Sequence, residues 1–162
     1  MTDCQENYWN LLEHIWNEQP YADGPEFTDW FNRLTIPQQV LFPTHWLCSE
    51  VRNGGFHQYF TNSTGYHAPE AVQGFVELGL GDIASIVQRA IAVFGESFPR
   101  ERLIREQFLA SFEGNDRSEW DPFYKLDDLF YESIKIPGAP KFHAEDRFSI
   151  AANRYAIDSA NK

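Results

Sequence analysis

Apolar residues recur along most of this chain with the 3.6-residue period of amphipathic helices, separated by short segments rich in Gly, Pro, Asn and Ser. The stripes over 8–15 and 83–94 are the most regular, and further helices are expected at about 101–112, 121–133 and 144–157. No segment alternates apolar and polar residues as a half-buried strand does. The pattern therefore predicts an all-α fold, with one compact domain of about eight short helices spanning the whole chain of 162 residues.

Several helix boundaries are marked by capping residues and prolines. Thr35 and Gln38 have the spacing of a capping box, so a helix should begin there. Pro43 should interrupt this helix, either by kinking it or by restarting it as a new first turn. Asp121 is the expected N-cap of a later helix, with Pro122 in its first turn.

The most distinctive segment covers residues 50–65 and reads E-V-R-N-G-G-F-H-Q-Y-F-T-N-S-T-G. A helix should end at Gly54, because glycine readily takes the left-handed conformation that follows many helices. Phe56 should then pack onto the core, and Tyr59 and Phe60 should hold a short second helix. The residues expected to build this corner between two helices are Asn53, Gly54, Gly55, Phe56, Gln58, Tyr59, Phe60 and Asn62.

The polar residues of this corner allow two interpretations. In the first, Asn53 and Asn62 hydrogen-bond the free backbone groups of the turns and have a purely structural role. In the second, Asn53, Gln58, Tyr59 and Asn62 line a pocket for a small ligand.

Charge is distributed unevenly along the sequence. The chain contains 24 Asp and Glu against 13 Lys and Arg, a formal net charge of -11, which disfavours nucleic acid or an anionic membrane as its partner. Residues 1–32 hold seven acids and no Lys or Arg, and residues 106–132 hold eight acids and two bases. The segment between them is balanced, so these two blocks supply the negative charge.

The spacing of the acids within the two blocks predicts charged helix faces. In the first block three acids lie opposite the apolar stripe, and in the second three acids are separated by seven and four residues. A DNA strand carries a phosphate about every 3.4 Å, so such rows could present comparable charge to a DNA-binding protein. The alternative is an ordinary solvated acidic surface. The candidate partner-binding residues are Asp3, Glu6, Glu13, Asp116, Glu119, Asp121, Asp127, Asp128 and Glu132.

The sequence offers little support for catalysis or metal binding. It contains no phosphate-binding glycine loop, no serine-hydrolase elbow and no zinc-type spacing of Cys or His. His57 and His67 could converge with Glu50 or Glu70 on a metal ion, but the Glu-x-x-His spacing of helical carboxylate sites is absent. We therefore predict no enzyme, no cofactor and no metal.

The cysteines and the chain ends indicate the compartment. Cys4 and Cys48 are the only thiols, too few for a disulfide framework, and free thiols in a reducing cytosol are expected, with a Cys4–Cys48 bridge as the alternative. The first residues are acidic and no apolar run approaches 18 residues, so neither a secretory leader nor a membrane span is predicted. We expect a cytoplasmic protein.

The segment over 50–65 resembles the signature of a bacterial DNA-mimic protein family, which reads E-V-N-N-G-G-F-x-Q-Y-F-x-N-S-x-G. Arg52 departs from it, because the family usually has Asn at that position. The resemblance extends over about 34–96 and includes the capping box at 35–38 and the helix ending at Gly95. The acidic blocks lie mostly outside the matched part.

This resemblance implies a fold, a partner and an oligomeric state. It implies an acidic all-helical protein that forms a homodimer and occupies the DNA-binding surface of a transcriptional regulator, most simply one of the helix-turn-helix type. Two alternatives from other classes stay open. One is a small-molecule or metal-dependent enzyme centred on residues 50–59, and the other is a generic acidic interaction or immunity-type module.

Overall fold

The computed structural model describes residues 7–19, 24–140 and 145–161, and within them it forms nine α-helices, one 3-10 helix and no strand. The predicted all-α class is confirmed. A 3-10 helix, Ser63–His67, lies between the third and fourth α-helices. The α-helices are α1 (Asn7–Glu13), α2 (Pro25–Asn32), α3 (Ile36–Thr61), α4 (Ala68–Glu77), α5 (Gly81–Ala92), α6 (Arg102–Leu109), α7 (Arg117–Trp120), α8 (Tyr124–Ile134) and α9 (Arg147–Ala160).

Helix α3 is the centre of the fold, since α1, α4, α6, α8, α9 and the 3-10 helix all pack against it. It begins at the predicted capping box, where the side-chain carbonyl of Gln38 accepts the backbone N–H of Thr35 at 3.0 Å. The backbone dihedral angles stay helical through Pro43, so the predicted restart of the helix there is wrong. The missing N–H of Pro43 is tolerated inside the helix, and the neighbouring Thr44 hydroxyl donates to the Val40 carbonyl at 2.8 Å.

The close packing of α3 on α4 depends on one glycine. A Cβ atom at Gly74 would lie 2.7 Å from the Val40 carbonyl oxygen and 2.6 Å from the Thr44 methyl carbon. Only a residue without a side chain allows the two backbones to approach this closely.

One continuous hydrophobic core extends from Leu12 in α1 to Ala156 in α9. Its centre is aromatic: the Phe60 ring contacts those of Phe56, Phe94 and Phe123 at centroid distances of 6.1, 5.0 and 5.2 Å. These rings come from α3, from the segment after α5 and from the residue before α8, so the second half of α3 is packed against all three parts of the chain. Among the described residues no helix has both the length and the apolar character needed to cross a membrane.

Candidate functional site

The signature segment forms a sharp corner inside α3. Helical dihedral angles stop at Gly54 (φ -153°) and Gly55 (φ 76°) and resume at Phe56, as the sequence predicts. The corner frees the Phe56 N–H from the helix, and this group donates to Asp127 Oδ1 of α8 at 2.8 Å. A Cβ atom at Gly55 would lie 2.3 Å from Asp127 Oδ2. Gly55 is therefore required twice, for its positive φ and for the close approach of this carboxylate.

A second carboxylate connects the two halves of α3 across the corner. Glu50 Oε2 accepts hydrogen bonds from the side-chain amides of Gln58 at 2.7 Å and Asn62 at 2.9 Å. The prediction that the Asn62 side chain bonds the backbone of a turn is therefore wrong, because it bonds a carboxylate. The spacing of Glu50, Gln58 and Asn62 in the signature is explained by this bridge.

The structure does not bring the four predicted pocket residues into one ligand site. Tyr59 is fully buried, and burial raises the pKa of its phenol. The amides of Gln58 and Asn62 are bound to Glu50, whereas Asn53 lines a separate cavity. Phe56 and Phe60 fill the corner as predicted.

The C-terminal end of α3 is closed by a buried arginine that the sequence analysis missed. Arg105 of α6 is fully buried and donates from Nε to the Phe60 carbonyl at 2.9 Å and from Nη2 to the Asn62 carbonyl at 2.9 Å. It also donates to the carbonyls of Pro99 and Arg100. The guanidinium thus occupies the end of a helix where carbonyl groups lack partners and the macrodipole is negative.

Two of the predicted partner-binding acids are buried and bound to one arginine. Asp121 and Asp127 are 5% and 4% exposed. Arg117 of α7 donates from Nε to Asp121 Oδ2 at 2.8 Å and from Nη2 to Asp127 Oδ2 at 2.9 Å. We call this set of three residues the Arg117 bridge. The prediction that Asp121 and Asp127 present their charge to a partner is wrong, because their carboxylates are enclosed within the fold.

The burial of Asp127 changes its pKa, and the start of α8 differs from the predicted one. Desolvation raises the pKa of Asp127 to about 6, against the lowering effects of the Phe56 N–H and Arg117. Asp121 is not the N-cap of α8, because α8 begins at Tyr124 and its N-cap residue is Phe123. The Asp121 Oδ1 atom instead accepts the Phe123 N–H at 2.8 Å. The predicted charged row at 121, 128 and 132 is therefore not a helix face.

The remaining acids of the second block are exposed, except Glu106, which is half-buried. The Asp116 carboxylate accepts the hydroxyl and the N–H of Ser118, which lowers its pKa, so it is fully ionised at neutral pH. Glu132 is exposed and ion-paired with Lys135. We define the acidic surface as the exposed carboxylates of this block that have no ion pair with a described residue: Glu113, Asp116, Glu119 and Asp128.

The N-terminal acids are only partly within the described residues. Glu13 is exposed at the end of α1. Asp3 and Glu6 lie outside the described residues, and so does Cys4. Cys48 is a buried free thiol, and burial raises its pKa to about 12.

A polar cavity of about 390 Å³ lies between the first half of α3, α1 and α9. Tyr8, His45, Cys48, Arg52 and Asn53 line it. The Tyr8 hydroxyl and His45 Nδ1 are 3.3 Å apart, and burial lowers the pKa of His45 to about 4, so its ring is neutral at physiological pH. This arrangement holds no cationic imidazole and no ionised thiol at neutral pH.

Arg52, the departure from the signature, has a structural partner. Its guanidinium forms an ion pair with Asp146, the residue that caps α9 by accepting the Ser149 N–H at 2.8 Å. Arg52 therefore ties the first half of α3 to the start of α9.

The structure does not bring His57 and His67 together with Glu50 or Glu70. The His57 ring lies edge-on to Trp120 with centroids 5.5 Å apart, and His67 is buried among aromatic rings. Glu50 is bonded within the corner and Glu70 pairs with Arg100 at 2.8 Å. Across residues 7–19, 24–140 and 145–161 no three His, Cys, Asp or Glu side chains are grouped to hold a metal ion.

The fold and the site define an acidic all-helical protein whose signature residues build a corner in the central helix and whose surplus charge lies on its surface. The family model for DMP19-like proteins matches residues 32–145. This chain belongs to the family of DMP19-like proteins, the family of DNA mimics that its signature resembles. The match is longer than the segment 34–96 recognised in the sequence and includes the whole of the second acidic block. No curated protein and no solved structure matches the chain.

Proposed function

We propose that this protein is an acidic DNA mimic that binds the DNA-binding surface of a transcriptional regulator and excludes DNA from it. The observation that carries the proposal is the acidic surface on Glu113, Asp116, Glu119 and Asp128, in a chain that belongs to the DMP19-like family. A regulator of the helix-turn-helix type has the basic surface that such a partner requires.

The Arg117 bridge supports this function by fixing the helices that carry the charge. Arg117 connects the short helix α7 to Asp127 of α8, so α7, which carries Glu119 and follows Asp116, is fixed to the helix that carries Asp128. A preorganised charged surface loses less conformational entropy on binding than a mobile one. The same surface attracts a basic partner over a distance and speeds association at low salt.

The proposed action requires neither catalysis nor a cofactor, and it takes place in the cytoplasm, where regulators meet DNA. The N-terminal acids Asp3, Glu6 and Glu13 are the second set of candidate partner-binding residues, and homodimerisation would present both sets twice to the partner. Sedimentation of the purified chain measures the dimer directly.

The test combines partner capture with competition against DNA. The tagged full chain is used to purify its regulator from the cells that express it, and a gel-shift assay measures how much chain releases the regulator from its operator. The variant Glu113→Gln/Asp116→Asn/Glu119→Gln/Asp128→Asn should compete about thirtyfold less well, because four exposed interface charges at about 0.5 kcal/mol each sum to about 2 kcal/mol.

A matched control separates local charge from net charge. Glu77, Glu96, Glu101 and Asp158 are exposed and likewise have no ion pair with a described residue. Neutralising these four changes the net charge equally and should leave competition within about threefold of the native chain. Equal competition by the two quadruple variants would remove the acidic surface from the mechanism, and competition insensitive to salt would contradict the electrostatic basis of the proposal.

A further inference from the structure

A groove of about 320 Å³ opens between the second half of α3, α6 and α7, within the second acidic block. Its aromatic wall consists of His57, Phe112 and Trp120, and its carboxylates are those of Glu106 and Glu113. Aromatic faces beside carboxylates form an environment that favours a cation with a flat apolar surface.

The charge around the groove is negative after internal ion pairs are counted. Glu106 is paired with Arg102 at 2.8 Å, whereas Glu113 has no ion pair with any residue of the described ranges. Arg117 lies close to His57 but is bound by the two carboxylates of the Arg117 bridge. Burial lowers the pKa of His57, so its ring is neutral at pH 7 and does not repel a cation.

The aromatic wall is held in position by neighbouring packing. The Trp120 ring covers Gly114, where an added Cβ would lie 2.8 Å from Trp120 Cδ1. The Trp120 ring also meets the His57 ring edge-on, and the Phe112 ring packs against Phe108 at a centroid distance of 5.4 Å. The groove therefore exists before any partner arrives.

We propose that this groove receives one arginine side chain from the partner's basic surface, with the guanidinium against Trp120 and Phe112 and paired with Glu113. The inference rests on the proposed function, since the acidic surface brings the basic partner and the groove selects one of its side chains. Arginine fits better than lysine, because its planar guanidinium stacks on aromatic rings and is more weakly hydrated than an ammonium group. The groove would supply an aromatic contact within an otherwise charged interface, of the kind that concentrates binding energy.

The test uses small probes and needs no regulator. N-acetyl-arginine amide and N-acetyl-lysine amide are titrated into the full chain at low salt, and ¹H–¹⁵N spectra follow the Trp120 indole N–H, assigned with Trp120→Phe. We expect saturable shifts at Trp120 and at the amides of the groove, with the arginine probe binding about threefold more tightly than the lysine probe.

Two substitutions with equal charge change give the decisive comparison. Glu113→Gln should weaken the arginine probe about three- to fivefold, whereas Glu119→Gln, next to Trp120 but outside the groove, should change it less than twofold. Trp120→Leu, followed through the groove amides, should remove the preference for arginine over lysine.

The inference is overturned if neither probe saturates, if the two probes bind equally to the native chain, or if Glu119→Gln weakens binding as much as Glu113→Gln. Each of these results leaves the DNA-competition experiment unaffected. Conversely, a chain that binds the arginine probe in the groove but fails to displace a regulator from DNA contradicts the proposed function alone.

Discussion

Replacing Gly55 by alanine should destabilise the protein far more than the same change at another glycine with the same backbone conformation. At φ 76° an L-residue costs about 1–2 kcal/mol. The new Cβ would also lie 2.3 Å from Asp127 Oδ2, so that carboxylate must move and its bond to the Phe56 N–H is lost. A buried hydrogen bond to a charged group contributes about 1.5–3 kcal/mol, which brings the total to about 2.5–5 kcal/mol.

Gly79 provides the control because it has φ 73° and an added Cβ there would meet nothing within 4 Å. Gly79→Ala should therefore cost only about 1–2 kcal/mol. Urea unfolding followed by far-UV circular dichroism measures both free energies of unfolding, and Gly55→Ala should also lower Tm by about 10 °C.

A double-mutant cycle shows whether the contact with Asp127 causes the additional destabilisation by Gly55→Ala. In an Asp127→Ala background the clashing carboxylate is gone. The Arg117 Nη2 atom, 2.8 Å from the added Cβ, has then lost its partner Asp127 and can move away, so Gly55→Ala should cost no more than Gly79→Ala does. If Gly55→Ala costs the same as Gly79→Ala in the native background, the close approach of Asp127 has no energetic role and our account of the signature glycine fails.

Three further predictions follow from buried groups. Because burial raises the folded-state pKa of Asp127 to about 6, ionisation of this carboxyl destabilises the folded state. The free energy of unfolding should therefore fall by about 1–2 kcal/mol as the pH rises from 4 to 6.5. Urea unfolding at each pH measures this dependence, and Asp127→Asn should lack it. Arg105→Met should lower the free energy of unfolding, measured by thermal unfolding, by about 3–5 kcal/mol, whereas Arg102→Gln at an exposed arginine should change it by no more than about 1 kcal/mol. Equal effects of the two substitutions would contradict the role of Arg105 at the buried end of α3. With its thiol buried and its pKa raised to about 12, Cys48 in a Cys4→Ser chain should not react with Ellman's reagent at pH 8 until urea unfolds the protein.

The helices and the glycine corner could be predicted because they depend on local sequence. The capping box at Thr35 and Gln38 and the helix end at Gly54 follow from spacing alone, and the structure has both. The helix expected at 121–133 begins only at Tyr124, because Asp121 is the C-cap of the one-turn helix α7 and residues 122–123 form a turn.

The buried charges could not be placed by treating acids and arginines as surface residues. Asp127 lies four residues after Phe123 and three before Phe130, on the apolar stripe of α8, and Arg105 lies four residues before Leu109. This spacing was a usable signal for burial. Their partners could not be predicted from the sequence. The Phe56 N–H is free only once the corner forms, and Arg117 meets Asp127 only once α7 packs on α8.

The hydrogen bond between Phe56 and Asp127 also sets an order for folding. It joins positions 71 residues apart, so the backbone group freed at Gly55 has no partner until α8 has been synthesised. During translation α3, α4 and α5 emerge first and can pack together through contacts between neighbouring elements. The corner in α3 can close only when the last third of the chain leaves the ribosome. The corner therefore reaches its native hydrogen bonding only after α8 has emerged, although most of α3 is synthesised before it.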